Sequence, residues 1–299
     1  MDYGTIPYLD RKISRIVMGT DFLSGQGEAS YASLDRFWEL GGNAFDTAFV
    51  YGESTSILGR WLAARGLADQ AVYFDKGCHP DQNGKKVTYA AMGSDIRANH
   101  ERLGVGYTDL FVLHRDDPEV PVDEVMGWLN DYKDQGLIGG FGGSNWHYTR
   151  IAAANEWAAA NGKQGFSLDN PNLPLAENVE PLWDGCITID REGRDWHERT
   201  QLPLFAWASM ARGYFFGVDD PEVLRAYDSP TSRARRERAQ QLGAERGYSV
   251  PAVVMAWVLA QPFPVFALAG LRAPDQVDDT FRALELELSP EDVRWLEEG

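Results

Sequence analysis

Gly41-Gly42-Asn43-Ala44-Phe45-Asp46-Thr47-Ala48-Phe49-Val50-Tyr51-Gly52 joins the end of one helix to a short strand and a polar turn. The helix is read from the spacing of Tyr31, Leu34 and Trp38. Two glycines stop it, since glycine adopts the left-handed conformation that ends helices. Ala44-Phe45 is then a short apolar strand, followed by an acid, Asp46, and further on by a phenol, Tyr51. A tyrosine that gives up a proton needs a cation to lower its pKa, and a buried cation needs an acid. This stretch holds the acid and the tyrosine, so a matching cation must come from elsewhere in the chain.

The same unit recurs along the chain, with short β-type runs alternating with helical patterns. Ile16-Val17-Met18 reads as a strand ahead of the first helix. Ala44-Phe45, Val72-Tyr73-Phe74, Leu110-Phe111-Val112-Leu113 and Leu137-Ile138 follow, each with a helical pattern after it. Phe166-Ser167-Leu168, Leu204-Phe205-Ala206-Trp207 and Val265-Phe266-Ala267-Leu268 continue the series. A long Trp-containing loop with a short helix is expected over 171–200, and an Arg-rich helix over 232–246. Ser289-Pro290-Glu291-Asp292 reads as an N-cap, a first-turn proline and an acid that opens the last helix. About eight strands alternating with helices imply parallel pairing through crossover helices. No Gly-x-Gly-x-x-Gly follows the first strand, which disfavours a Rossmann dinucleotide domain. The expected fold is therefore α/β, a (β/α)8 TIM barrel forming a single domain over residues 1–299.

Composition limits the partners. The chain has 299 residues, 44% of them hydrophobic, and a formal net charge of −17. Such a field repels nucleic acid and anionic membranes, and it would repel a phosphorylated cofactor unless a local cationic pocket received it. No apolar run reaches membrane-spanning length, and no signal peptide is read at the N-terminus, so a cytoplasmic location is expected. Cys78 and Cys186 do not make a disulfide framework. The five histidines are scattered without ligand spacing, so no metal is expected. The sequence leaves the oligomeric state open.

In a barrel, chemistry collects at the C-terminal ends of the strands. That places Gly19-Thr20, Asp46, Lys76, His114, Ser144-Asn145, Asn170, Trp207 and Gly270 at the mouth. Lys76 either faces into the mouth, where it needs an acid and Asp46 is available, or reads equally as a solvated lysine. His114 can orient a carbonyl by hydrogen bonding, or be a hydrogen-bonded histidine near the core.

The stretch 42–52, the lysine strand and Leu113-His114-Arg115 together resemble the aldo-keto reductase signature, over about residues 13–296, and the overall wording, especially Leu202-Pro203-Leu204-Phe205-Ala206-Trp207, is similar to a bacterial branch associated with sugar oxidoreductases. The resemblance implies a catalytic tetrad. Tyr51 is the acid and base on the carbonyl oxygen, Lys76 lowers its pKa, Asp46 pairs with Lys76, and His114 orients the carbonyl. It also implies a nicotinamide cofactor across the mouth. Gly143-Ser144-Asn145-Trp146 is similar to the family segment whose Ser and Asn hold the carboxamide, and Asn170 stands where relatives usually have Gln. In Trp207-Ala208-Ser209-Met210-Ala211-Arg212-Gly213 an aromatic would stack on the ring and Arg212 would meet a diphosphate. Gly19 and Thr20 would flank the cofactor. In Gly270-Leu271-Arg272-Ala273-Pro274-Asp275-Gln276, continuing to Thr280, Arg272 would meet a 2′-phosphate. NADP is preferred on that basis. NAD is the alternative, since Thr280 replaces a usual Asn.

Gly139-Gly140-Phe141 lacks a common Ile-Arg pair, which is expected to alter packing rather than chemistry. The arginines at 233, 235, 236 and 238 are read as a solvated helix face. The substrate pocket is expected from loops at 21–30, 77–87, 115–121 and 171–200. Phe22, Trp146, Trp183 and Trp196 would be its aromatic walls, and Phe22, Tyr51, His114 and Trp146 its contacts with a small carbonyl or alcohol, a sugar-derived one being a candidate. Other readings of the same fold are a nicotinamide-sensing regulatory subunit and a cofactor-retaining isomerase or lyase.

Overall fold

The computed structural model describes residues 1–299. Eight parallel strands close into a barrel: β1 (Ile16–Gly19), β2 (Ala44–Asp46), β3 (Val72–Gly77), β4 (Thr108–Leu113), β5 (Ile138–Ser144), β6 (Leu168–Asn170), β7 (Leu204–Ala206) and β8 (Val265–Ala269). Each pairs with its sequence neighbours, and β8 closes on β1 through Ala267 opposite Ile16. The first five strands are each followed by one main helix: α1 (Tyr31–Glu39), α2 (Glu53–Arg65), α3 (Tyr89–Leu103), α4 (Val122–Asp134) and α5 (Tyr148–Ala160). After β6 comes α6 (Arg191–Thr200), after β7 come α7 (Pro221–Tyr227), α8 (Pro230–Arg246) and α9 (Val250–Leu259), and after β8 come α10 (Pro274–Phe281) and α11 (Pro290–Glu298).

The period-2 alternation of strands sorts the core into two layers. Inward residues include Val17, Ala44, Val72, Phe74, Leu110, Val112, Leu168, Phe205, Phe266 and Leu268, which form one buried cluster. Outward residues such as Phe45, Tyr73 and Leu204 pack with the helices in a larger one. The inward positions of β5 are Gly140 and Gly142, which have no side chains to offer. A Cβ at Gly142 would lie 2.3 Å from the Leu168 carbonyl oxygen. The space is filled from other strands by Phe74, Phe205 and Phe266, stacked at centroid distances of 4.7 Å. Burying each such ring stabilises the barrel by roughly 1.5–3 kcal/mol.

Four features differ from the expectation. The strand begun by Leu137-Ile138 runs on to Ser144 through Gly139, Gly140, Gly142 and Gly143, because neighbouring strands impose the ladder on residues of low β-propensity. An N-terminal ribbon pairs Tyr3–Gly4 with Ile13–Ser14 and carries Ile6 and Ile13 into the inner cluster, plugging the barrel floor. Helix α7 was not legible, being short, but Asp220 caps it and Pro221 opens it. The arginines of α8 are not simply solvated. Arg235 and Arg238 donate to the carbonyls of Leu296 and Glu297, the open end of α11, where the helix dipole favours cations. No helix is long and apolar enough to cross a membrane.

Candidate active site

Continuing each strand's inward alternation by one step beyond the apolar core gives Gly19, Asp46, Lys76, His114, Ser144, Asn170, Trp207 and Gly270. All eight line one cavity of about 610 Å³ at the C-terminal mouth, a size suited to a cofactor and a small ligand. The sequence placed these residues at strand ends, and the barrel register brings them onto one surface.

Lys76 and Asp46 form an ion pair whose side chains are 4% and 7% exposed. Burial drives the Lys76 pKa well below the ordinary lysine value, and the nearby Asp21 carboxylate opposes that. Direct contact with Asp46 also favours the ammonium, so the pair is held as a pair. The Lys76 ammonium sits 5.2 Å from the Tyr51 ring centroid, and the His114 ring stands edge-on to it at 6.1 Å. Burial raises the Tyr51 pKa, as does Asp21, while Arg115 and Arg212 pull it down. Burial first, then the Lys76 charge, pushes His114 well below its usual value, so its imidazole is neutral at pH 7. The turn that carries Tyr51 is fixed by Thr47, whose hydroxyl bonds that of Thr55 at 2.8 Å, and by Thr55 Oγ1 donating to the Ala48 carbonyl.

On the cofactor side, the polar groups divide unexpectedly. Asn145 has a left-handed backbone, φ 60, and its amide is fully engaged. Its Oδ1 accepts from Trp207 Nε1 at 3.2 Å and from the Ile187 N–H at 3.0 Å. Its Nδ2 donates to the His114 carbonyl and to Ser144 Oγ. Asn145 is thus a knot tying β4, β5, β7 and the loop after β6. Asn170 is the open amide: Nδ2 donates to the Phe205 carbonyl, but its buried Oδ1 has no partner. A buried acceptor left open is costly unless a ligand N–H meets it, and a nicotinamide carboxamide has one to give. Ser144 Oγ donates to the Asn170 carbonyl, and Ser209 Oγ to that of Ala206. Gly19, Ala208, Ser209, Met210, Arg212, Gly213, Gly270, Leu271, Arg272, Gln276 and Thr280 all line the cavity. Gln276 uses its Oε1 to accept the Arg272 N–H at 2.8 Å. The residues present therefore fit a nicotinamide dinucleotide.

Three expected contacts lie off the cavity. Thr20 is buried, with its hydroxyl donating to the Asp46 carbonyl, so it braces β2 from behind. Trp146 is buried against Phe166 and Arg150, on the outer side of β5. Phe22 lies beneath the Arg272 guanidinium, which is 5.3 Å from its ring centroid, at the Gly270 side of the mouth. The loop 77–87 does not reach the cavity either, and Trp196 packs on Tyr148 and His197. The wall is built by Asp21, Arg115, Trp183 and Cys186, from three of the four expected loops, and by Phe216 and Val218 from a segment outside them. Trp183 lies 6.2 Å from Trp207, with the Arg212 guanidinium 5.0 Å above it. Residues 216–218 had no signal in the sequence. They are presented by a turn in which Ala211, Arg212 and Gly213 all take positive φ.

Comparison with known proteins agrees with this geometry. A family model described as the aldo/keto reductase family matches residues 15–298. An aryl-alcohol dehydrogenase [NADP(+)] from Phanerodontia chrysosporium is 27% identical over 295 residues, covering 90% of this chain and 75% of that protein. A norsolorinic acid reductase from Emericella nidulans is 27% identical over 318 residues, covering 98% and 79%. A versiconal hemiacetal acetate reductase from Aspergillus parasiticus is 24% identical over 346 residues, covering 100% and 96%. These relatives are fungal, in place of the bacterial ones that the sequence wording suggested.

Proposed function

Since the chain belongs to the aldo/keto reductase family and is an oxidoreductase acting on carbonyl and alcohol groups, we propose that it uses NADP(H), with Tyr51 as proton donor and acceptor. NADP(H), when bound, supplies or takes up the hydride. In reduction Tyr51 gives its phenolic proton to the carbonyl oxygen, and in oxidation it takes that proton back. The Lys76 ammonium, held by Asp46, stabilises the phenolate left behind. Neutral His114 donates to the same oxygen and sets its direction, so the developing charge meets donors already in place. Asn170 Oδ1 holds the carboxamide, Trp207 lies against the ring, and Arg212 and Arg272 meet the phosphates, the local cations that an acidic chain requires.

One observation carries this reading: the buried Asp46–Lys76 pair beneath the Tyr51 ring, with His114 against its edge, inside the cavity. The walls of Trp183, Phe216 and Val218 suit a flat apolar body, so an aryl aldehyde or ketone is favoured over a sugar-derived carbonyl. The aryl-alcohol dehydrogenase among the relatives supports the same class.

Tyr51→Phe should lower kcat by about 10²- to 10⁴-fold while NADPH binding, read by tryptophan quenching, stays within a few-fold. Activity retained within tenfold would remove Tyr51 from its role. Arg272→Ala should weaken NADP binding by about 10- to 100-fold and NAD binding far less. Equal weakening of the two would show that Arg272 does not meet the 2′-phosphate.

A further inference from the structure

We propose that Arg115 is a specificity-determining residue that anchors a carboxylate on the carbonyl substrate, so that the enzyme prefers anionic aromatic carbonyls to their neutral counterparts. The inference rests on Tyr51 and His114 being the groups that receive the carbonyl oxygen. It starts from an imbalance. Lys76 and Arg115 are the two cations among the buried residues. Lys76 has Asp46. Arg115, only 8% exposed, has no carboxylate at all.

Its contacts are to neutral atoms. Nε donates to the Asp184 carbonyl at 3.3 Å, Nη1 to the His114 carbonyl at 2.8 Å, and Nη2 to Cys186 Sγ at 3.3 Å. Sulfur is a weak acceptor, and a guanidinium has five N–H groups, so two N–H remain open beside a poorly filled third. An unpaired buried charge is destabilising, and the excess of acids on this chain offers many possible partners. The acids that line the cavity do not pair with it: Asp46 is held by Lys76, and Asp21 stands on another wall. Asp21 follows β1 and approaches Gly270 after β8, its Oδ1 3.9 Å from where a Cβ there would stand. Arg115 follows β4, three strands away around the barrel.

The guanidinium is nevertheless close to the reacting groups. Arg115 lines the same cavity as Tyr51 and His114, and its charge pulls down the pKa values of Tyr51, Lys76 and His114. Once the cofactor takes the Asn170, Trp207 and Arg272 side, the remaining wall includes His114, Arg115, Trp183 and Cys186 near one another, with Asp21, Phe216 and Val218 completing it. This subsite offers two donors for a carbonyl oxygen, one aromatic face and one fixed fork. A carboxylate matches that fork by planar, bidentate hydrogen bonding. The contacts to residues 184 and 186 hold the fork in place before the substrate arrives.

The test uses the three positional carboxybenzaldehydes and their methyl esters, reduced with NADPH by the wild type, Arg115→Met and Arg115→Lys. In the wild type, kcat/KM for at least one acid should exceed that of its ester by about 10- to 100-fold, mainly through KM. In Arg115→Met that ratio should fall to about one, and Arg115→Lys should recover part of it. Equal turnover of acid and ester by the wild type would overturn the proposal. So would a ratio unchanged in Arg115→Met, which would leave Arg115 as a clamp for the loop at 184–186. Binding of benzoate and of benzamide, followed through tryptophan fluorescence, decides the matter without turnover. Arg115→Met should weaken benzoate at least tenfold and benzamide little, and equal weakening of both overturns the anchor. If esters and acids alike are not reduced, the reductase reading fails, while the benzoate comparison still judges Arg115.

Discussion

Replacing Asp46 by leucine removes one partner of the buried pair and leaves Lys76 with no counterion. Both side chains are nearly out of solvent, so an ammonium left there would cost about 3–5 kcal/mol. Lys76 has an escape, which is to lose its proton. The cost of neutralising it is set by how far the pH lies below its ordinary value of 10.5, at about 1.4 kcal/mol per unit. At pH 7 this ceiling is about 5 kcal/mol, no lower than the cost of the bare charge. At pH 9 it drops to about 2 kcal/mol, so neutral Lys76 becomes the cheaper state. The sign follows from proton counting. Burial already opposes the Lys76 charge in the wild type, where contact with Asp46 counters it; without Asp46 burial acts alone, so the unfolded variant binds more protons and the variant gains stability as pH rises toward 10.5. Urea unfolding of wild type and Asp46→Leu should therefore differ by about 3–5 kcal/mol at pH 7 and by about 2 kcal/mol at pH 9. A difference that does not change between these pH values would refute the reasoning, because it would mean that Lys76 keeps its charge by reaching water.

Gly142→Ala should destabilise the barrel by about 2–4 kcal/mol, since the new methyl would press on the rigid Leu168 backbone, and an unchanged thermal midpoint would show that β5 can move aside. Burial raises the Asp75 pKa to about 8, above the unfolded value. Its contribution to stability is therefore full below about pH 4 and lost as pH rises to about 8. Asp75→Asn has no such loss, so its advantage over wild type should grow by on the order of 4 kcal/mol between pH 5 and pH 8.5 in urea unfolding. An advantage independent of pH would mean that Asp75 is already ionised in the folded protein at the lower pH.

Much of the site was legible because a parallel barrel converts one-dimensional order into position. Asp46, Lys76 and His114 each stand two residues beyond an inward apolar residue, at Ala44, Phe74 and Val112. Strand period and chain order were enough to bring them to one mouth. Loops carry no such period, so three of the four expected loops and Trp183 line the cavity while the other expected aromatic side chains do not. Trp146 and Phe22 had the right chemistry and the right neighbours in the chain, yet Trp146 turned outward against Phe166, and Phe22 went beneath Arg272. The glycines of β5 show the same limit from the other side. Their propensity argues against a strand, and the ladders of β4 and β6 override it.

Alternation of apolar strands with amphipathic helices and the family resemblance determined, without coordinates, the barrel and the group formed by Asp46, Tyr51, Lys76 and His114. The barrel and the strand-end places of Asp46, Lys76 and His114 follow from local periodicity, while Tyr51, on the turn after β2, was joined to them by the resemblance of the stretch 42–52 to the family signature. Tertiary structure decided how the polar atoms were shared: Asn145 tied to its neighbours while Asn170 kept an open oxygen, and Lys76 paired while Arg115 stayed without an acid. Such choices depend on which side chains from distant loops arrive within hydrogen-bonding distance, a property of three-dimensional packing that no spacing along the chain encodes.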